Sequence, residues 1–203
     1  MRHWKIALIL SLPILLVDVG QAQPAFNPDV SAVRAGTYEL DPAHGKITWT
    51  ASHFGMSHYK GQFVGLAGRL TLDPSEPERA SLQITVPMEK VGTFDTELDR
   101  RLRTDFFDVA SHPTARFAAT RVERVGERQA RITGDLTLRG VTRPVTILGT
   151  FNAAGIHPVN KRYTIGFDGE ATIKRSEFGI TTLVPAIGDD VRLDIEAEFR
   201  LVD

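Results

Sequence analysis

The sequence predicts an all-β protein in which one extended antiparallel sheet of about eight strands closes into a barrel, with a short helix or lid segment. Beyond the first few dozen residues, apolar and polar residues alternate through most of the chain. This pattern is typical of strands that are buried on one face only. The alternating stretches are long and their connections are short, which favours an up-and-down barrel.

Two other β architectures share this alternation and remain open at this point. A sandwich would bury the apolar face against a second sheet. An outer-membrane barrel would turn that face toward lipid, although the apolar rows lack aromatic girdles at both ends. A barrel that buries the apolar face on itself is the arrangement that we expect.

The chain begins with the features of a secretory signal peptide. A basic start precedes an apolar run over 6–17, and small residues follow up to Ala22, where we expect cleavage. That run is too short to span a bilayer comfortably. We therefore divide the chain into a signal peptide (1–22), a flexible leader (23–35) and a barrel (36–203), and we expect a periplasmic protein.

Composition excludes several classes of chemistry. The chain contains no cysteine, so it has neither a thiol nucleophile nor thiolate ligands for a metal. Its formal net charge is −1, with acidic and basic residues interspersed. Because no basic face stands out, we do not expect nucleic acid as a partner.

The predicted strands follow one another along the barrel after Tyr38–Asp41, which opens the fold. Each predicted strand has apolar side chains at alternate positions. The strands are 47–52, 61–72, 82–88, 115–120, 132–138, 141–151, 163–173 and 191–201. In the second of them, Gly65 and Gly68 suggest bends or bulges.

The stretch 97–117 interrupts the alternation. Leu98 and Leu102 are four residues apart, which is helical spacing. The adjacent Phe106 and Phe107 would point to opposite faces of a strand, and the His-Pro pair that follows stops any helix. We expect a short helix and an aromatic clasp that cover an opening in the closed sheet.

Small residues recur on the faces that are predicted to point inward: Ala51, Ala119, Gly134, Gly149, Gly169, Ala171 and Ala197. They either leave a tunnel or only fit the taper of a packed barrel. In a hollow barrel with an aliphatic and aromatic lining, the fitting ligand is a long apolar chain. Burying fifteen methylenes would contribute about 12 kcal/mol before the costs of association.

The chain resembles the YceI family of exported proteins over 36–203. The matching pieces are Tyr38-x-Leu40-Asp41-x-x-His44 with Ile47 and Trp49, Gly61-x-Phe63 with Gly68, Asp105-Phe106-Phe107-Asp108-Val109 with Pro113 and Phe117, Gly134-Asp135-Leu136-Thr137-Leu138-x-Gly140-Val141-Thr142-x-Pro144-Val145, and Arg175-Ser176-x-Phe178-Gly179. The resemblance implies an extended, lipocalin-like barrel that carries a polyisoprenoid or a related amphiphilic lipid, and it makes a homodimer plausible. The chain departs from the family pattern just before Phe106 and Phe107, where Leu98 and Arg101 replace an arginine and a histidine.

We expect two groups of ligand-binding residues. The predicted apolar lining consists of Trp49, Phe63, Ile84, Phe106, Phe107, Phe117, Phe167 and Phe178. The predicted head-group residues are Arg101, Arg103 and Arg175, because a guanidinium pairs well with phosphate.

We assign no catalytic residue, metal or cofactor. The spacing of His44, His53 and His58 matches no metal motif, and no serine has the glycines of a nucleophile elbow. Asp99, Asp105, Asp108 and Arg175 form a candidate polar group at the barrel mouth, but structural ion pairs and caps are the favoured interpretation.

The leading functional hypothesis is a periplasmic carrier or scavenger of a lipid. A stress-linked interaction protein with a solid barrel is the first alternative. An enzyme that acts on a lipid or an isoprenoid quinone is the second.

Overall fold

The computed structural model describes residues 26–202, so the predicted signal peptide and the start of the leader lie outside the described residues. The strands are β1 (Phe26–Asn27), β2 (Gly36–Leu40), β3 (Lys46–His53), β4 (Ser57–Val64), β5 (Ala67–Leu72), β6 (Ser81–Pro87), β7 (Val91–Gly92), β8 (Thr114–Arg124), β9 (Gln129–Leu138), β10 (Val141–Ile156), β11 (Tyr163–Lys174) and β12 (Ile187–Val202). Helix α1 (Thr96–Arg101) continues into a π-helical turn, Leu102–Phe106. Short 3-10 turns occupy Val30–Ala32, Pro77–Arg79, Met88–Lys90 and Arg175–Phe178. Within 26–202, no helix has the length and apolar character needed to cross a membrane.

Eight of the strands form one closed antiparallel ring. Their order is β2, β5, β6, β8, β9, β10, β11 and β12, and β12 pairs with β2 again. The predicted eight-stranded barrel with one short helix is therefore confirmed. A sandwich is excluded because a single continuous sheet buries its apolar face on itself.

Strand β12 changes neighbours along its length, and this opens the wall of the barrel. Phe199–Val202 pairs with β2, whereas the part from Ile187 to Glu196 pairs with β3. Strand β3 pairs with β4, and within residues 26–202 the other edge of β4 pairs only with the two-residue strand β7. The wall therefore has an opening beside β4 that no long strand fills.

Helix α1 and its π-helical turn, which we call the lid, lie at this opening. The ring of Phe107 meets that of Phe63 on β4 edge-on, with centroids 5.5 Å apart. Asp95 caps the helix by accepting hydrogen bonds from two backbone amides of the first turn. Asp99 accepts hydrogen bonds from the amide and hydroxyl of Thr93, at 2.6 and 2.7 Å, so it ties the helix to the segment that precedes it.

The predicted strand 61–72 was wrong as a single element. It belongs to two strands, β4 and β5, which are separated by a turn at Gly65 and Leu66. Gly65 has φ +68°, a left-handed conformation that favours glycine, and Leu66 is 2% exposed. The alternation continues on both sides of the turn, so the pattern alone did not separate the two strands.

The described part of the leader, 26–35, packs against the barrel, where we had expected a flexible segment. Strand β1 pairs with β10, and Val33 is 5% exposed. The hydroxyl of Tyr163 donates a hydrogen bond to the carbonyl of Ala32 and accepts one from the amide of Arg34. The segment has no hydrophobic period, which is why the sequence pattern gave no sign of this docking.

Candidate ligand-binding cavity

The barrel encloses two adjoining cavities, with volumes of about 250 Å³ and about 410 Å³. Ligand sites in proteins commonly measure about 300–1,000 Å³ and are mostly apolar. The residues that line both cavities are Ile47, Val86, Leu136 and Leu193. The two cavities therefore adjoin at these four apolar side chains.

The smaller cavity, which we call the leader-end cavity, is bounded by Val30 and Val33 of the leader. Its aromatic lining residues are Phe117, Phe151, Phe167 and Phe199. The rings of Phe167 and Phe151 are 5.6 Å apart, and those of Phe167 and Phe199 are 6.1 Å apart, both in edge-to-face contacts. The charged residues of its lining are all exposed at the surface: Arg124, Glu127, Arg128 and Asp168. This cavity is therefore apolar inside and polar only at its outer edge.

The larger cavity, which we call the lid-end cavity, lies beneath the lid. Its aromatic lining residues are Trp49, Tyr59, Phe63, Phe106 and Phe107. Unlike the leader-end cavity, whose charged lining residues are all exposed, it has the half-buried His53 and Arg101 and the buried Arg175 in its wall. The polarity of the interior therefore changes from one end of the barrel to the other.

The small inward residues contribute to both cavities. Ala51 lines the lid-end cavity, four others line the leader-end cavity (Gly149, Gly169, Ala171 and Ala197), and Ala119 lines neither. Gly134 has a different role, because a Cβ there would stand 2.5 Å from the ring of Phe117. Most of the small residues therefore leave space, and Gly134 admits a neighbouring ring.

The structure brings most of the predicted apolar lining to the interior. Four of these residues line the lid-end cavity: Trp49, Phe63, Phe106 and Phe107. Three line the leader-end cavity: Ile84, Phe117 and Phe167. Phe178 is 1% exposed and lines neither cavity, so it packs within the core. Tyr59, Phe151 and Phe199 were missed, although Phe151 and Phe199 had been placed on inward faces by their alternation.

Arg175 lies in the wall of the lid-end cavity, but its guanidinium is largely occupied. It donates four hydrogen bonds of 2.8–3.0 Å to backbone carbonyls, those of Ile180, Thr182, Ile187 and Gly188. Burial lowers the pKa of Arg175, against the opposing charge of Asp189. Since a guanidinium has five N–H donors, one is left for a ligand. The main role of Arg175 is to hold the segment that follows β11 around the cavity.

The other two predicted head-group residues differ in position. Arg101 lines the lid-end cavity, and its Nε lies 3.3 Å from Asp105 Oδ2 on the lid. Arg103 does not line either cavity, and it donates a hydrogen bond to the carbonyl of Val91. The structure therefore brings Arg101 to the mouth of the cavity together with Arg175, and it directs Arg103 elsewhere.

The aspartates that we considered as a polar group do not converge on one point. Asp99 bonds Thr93, and Asp105 bonds Thr104 and Arg101. Asp108 has φ +47° at the end of the lid. The contacts of Asp99 and Asp105 are local hydrogen bonds and an ion pair, as in the interpretation that we favoured.

His44 belongs to a polar cluster on the barrel wall. Its Nδ1 lies 2.6 Å from Oδ2 of the buried Asp41, which also bonds Arg200. The hydrogen bond to Asp41 and the charge of Glu198 raise the pKa of His44. Asp41, His44 and Glu198 are close enough together to share a metal ion. However, Arg200 already bonds the Asp41 carboxylate, so we interpret the cluster as a stabilised turn.

His53 and His58 lie on the neighbouring strands β3 and β4. The ring of His53 packs edge-on against Phe54 at 4.7 Å and lies 6.5 Å from Tyr59. His58 is exposed and pairs across the hairpin with Ser52. Within the described residues, neither histidine belongs to a cluster of potential metal ligands.

Comparisons with known proteins agree with this architecture. The model of the YceI-like domain matches residues 38–199. A protein of Pseudomonas savastanoi pv. phaseolicola, named "UPF0312 protein", is 34% identical over 194 residues, which cover 94% of this chain and 93% of that protein.

Two solved structures share the fold. BcnA of Burkholderia cenocepacia superposes with a TM-score of 0.71 at 24% identity, covering 78% of this chain and 98% of BcnA. A polyisoprenoid binding domain from Saccharophagus degradans superposes with a TM-score of 0.65 at 15% identity, covering 83% of this chain and 100% of that domain. At these identities the likeness shows the fold alone. Since the domain model and the Pseudomonas relative both span most of the chain, the protein belongs to the YceI-like family.

Proposed function

We propose that this protein binds one molecule of a polyisoprenoid, or of a similar long-chain amphiphilic lipid, inside its barrel. The observation that carries the proposal is the pair of apolar cavities that meet in the middle of the barrel. A structural neighbour is described as a polyisoprenoid binding domain, which supports the same ligand class. Because the cavities adjoin, one chain can extend through both.

The energetics favour such a ligand. Each buried methylene contributes about 0.8 kcal/mol, so a long chain gains more than association and chain ordering cost. Among the described residues, the leader-end cavity has polar side chains only at its exposed edge, so its interior suits the tail. The lid-end cavity has Arg101 and Arg175 in its wall and suits the head. We therefore orient the ligand with its polar head beneath the lid.

The proposal is one of binding rather than catalysis. The YceI-like family is a family of binding barrels and not a known family of enzymes. The signal-peptide pattern over 1–22 supports a periplasmic location. In that compartment, the protein would carry or sequester a lipid that is otherwise confined to a membrane.

The direct test is extraction and uptake. Protein purified from cells without detergent is extracted with organic solvent, and the extract is analysed by mass spectrometry. Stripped protein is then incubated with a long-chain prenyl alcohol, and the bound fraction is measured. We expect one lipid per chain. A protein that yields no lipid and takes up none would contradict the proposal.

A matched pair of variants tests whether the chain occupies the interior. Ala171 lines the leader-end cavity, and the next residue on β11, Thr172, faces outward and is exposed. Ala171 pairs with Leu193, which lines both cavities, so Ala171→Phe obstructs the passage between them, and excluding about five methylenes weakens binding about 1,000-fold. Thr172→Phe leaves affinity unchanged. Equal affinities of the two variants would show that the ligand lies elsewhere.

A further inference from the structure

Exposed apolar side chains lie together beside the lid-end cavity. Phe54 and Met56, in the turn between β3 and β4, are 54% and 79% exposed. Leu183, in the loop that leads into β12, is 51% exposed and also lines the lid-end cavity. The amide of Phe54 donates a hydrogen bond of 2.8 Å to the carbonyl of Ala186, which holds the turn against the loop. Phe54, Met56 and Leu183 therefore lie on one surface, which we call the mouth patch.

The backbone of the mouth patch is unusual for large side chains. Phe54 has φ +54° and Leu183 has φ +60°, both in the left-handed region that bulky residues rarely adopt. Gly55 follows Phe54 at φ +69°, and the amide of Met56 donates a hydrogen bond of 3.0 Å to the carbonyl of His53. Asn-Gly is the preferred pair in a turn with two positive φ angles. The turn itself therefore does not account for a phenylalanine at position 54.

Packing inside the barrel does not account for the exposed phenylalanines either. Phe54 lines neither cavity, and its ring meets only the edge of His53, at 4.7 Å. Phe94, just before the lid, is fully exposed, and the next residue, Asp95, lines the lid-end cavity. Both exposed phenylalanines of the described residues thus adjoin residues that line this cavity. Apolar surface of this kind marks a site of contact with a protein or a membrane.

The charges near the mouth patch favour a membrane. Neither 52–60 nor 180–187 contains an aspartate or a glutamate, although the chain has 25 of these residues. Lys60, which is exposed, is the only lysine or arginine in the two segments. The first acidic residue after them, Asp189, accepts two hydrogen bonds from Ser176. An anionic bilayer attracts a basic side chain and repels carboxylates, so this surface is suited to it.

We infer that the mouth patch docks the barrel on the surface of an anionic lipid bilayer. Phe54, Met56 and Leu183 enter the boundary between head groups and acyl chains, where apolar side chains of peripheral proteins are stabilised. Because Leu183 belongs to both the patch and the cavity wall, docking brings the lid-end cavity against the bilayer. A lipid then passes between bilayer and barrel without crossing water. The choice of a bilayer as the partner rests on the proposed function, since the ligand proposed there is a lipid.

Co-flotation with vesicles of phosphatidylethanolamine and phosphatidylglycerol tests the docking. The test variant is Phe54→Asn/Met56→Gln, because both residues line neither cavity and the turn gains its preferred Asn-Gly pair. We expect this variant to bind vesicles about 50-fold more weakly than the wild type, since two large apolar side chains no longer leave water. Its melting temperature should not fall. Equal binding by the variant and the wild type, or no binding by the wild type, would overturn the inference.

A matched control carries the same two types of substitution at the leader end. In Val125→Asn/Val159→Gln, both original side chains are exposed and line neither cavity. This control should bind vesicles as well as the wild type does, and an equal loss would overturn the inference. The competing partner for the mouth patch is a second copy of the chain. Sedimentation that shows a dimer in the wild type and a monomer in the test variant, without vesicle binding, would assign the patch to that partner instead.

Ligand measurements separate the docking from the proposed function. Geranylgeraniol is supplied either from cyclodextrin, which measures affinity without a membrane, or from the vesicles, which measures transfer. The test variant should keep the affinity of the wild type and take up the alcohol from vesicles more slowly. Uptake from vesicles at the rate of the wild type would contradict the inference. A wild type that docks on vesicles but takes up the alcohol from neither source would overturn the proposed function and leave the docking standing.

Discussion

The two ends of the barrel are closed by different means. At the leader end, 26–35 adds a short strand to β10 and is held by hydrogen bonds to Tyr163. At the lid end, a short helix and π-helical turn cover an opening beside β4 without pairing as a strand. The two cavities also differ in polarity, since among the described residues only the lid-end cavity has a buried polar side chain, Arg175, in its wall.

This difference predicts the orientation of the proposed ligand within the barrel. Backbone pairing of β1 with β10 closes the leader end, whose apolar interior suits the end of a tail. Side-chain packing of Phe107 on Phe63 closes the lid end, whose polar groups suit a head. Insertion of the tail first through the lid end places both parts of the ligand where the wall matches them.

The largest expected effect is on the lid end, in Arg175→Met. The substitution leaves one buried and three partly buried carbonyls without their donor, and we expect a loss of about 3–5 kcal/mol of unfolding free energy. Thermal unfolding should then shift down by about 10 °C. Arg101→Met, at a partly exposed position in the same cavity, should cost less than about 1 kcal/mol. Equal melting temperatures would refute the structural role of Arg175.

A smaller effect is expected from substitutions that distinguish a residue in contact with the ligand, Phe107, from a residue that only packs in the core, Phe178. Phe107 is half-buried and lines the lid-end cavity, whereas the buried Phe178 lines neither cavity. Phe107→Ala should weaken binding of a prenyl alcohol about tenfold, because it removes apolar contact area at the mouth. Phe178→Leu should lower stability and leave affinity unchanged. The reverse result would assign Phe107 to the core and Phe178 to the site.

A still smaller effect, a modest loss of stability, is expected at the leader end. Tyr163→Phe removes the hydroxyl that bonds both Ala32 and Arg34, at a cost of about 1 kcal/mol. The melting temperature should fall by about 2–4 °C. Limited proteolysis should then cleave the leader sooner than in the wild type. An unchanged rate of cleavage would mean that the strand pairing alone holds the leader.

The smallest expected effect is the pH dependence of the His44 cluster, which lies outside both cavities. Asp41 and Glu198 raise the pKa of His44 above its ordinary value of 6.5. The stabilisation is therefore complete below about that pH, and it is lost as the pH rises through the folded-state pKa. Because the side chain is 50% exposed, the melting temperature should change by less than about 2 °C. The change should disappear in His44→Gln, and its persistence there would assign it to another group.

Strands with one buried face could be predicted because alternation places successive side chains on opposite faces. A period of two fixes which residues face inward, and this placed residues such as Phe117 and Phe167 on the cavity wall. Alternation does not specify which strand pairs with which. The division of β12 between β2 and β3, which creates the opening for the lid, was therefore not visible in the sequence.

The polar parts of the site were harder to predict, because their partners are backbone atoms. Arg175 was expected to bind a head group, but four carbonyls from 180–188 occupy most of its donors. The location in the periplasm and the homodimer stay predictions.

A crystal structure with a prenyl alcohol that carries bromine at the end of its tail would test the central claim most directly. Anomalous scattering locates the bromine without reference to the rest of the ligand. We predict a single site in the leader-end cavity, between Phe117 and Phe167, with the hydroxyl beneath the lid. Bromine beneath the lid would contradict the orientation, and a ligand bound only outside the barrel would contradict the hollow interior as the binding site.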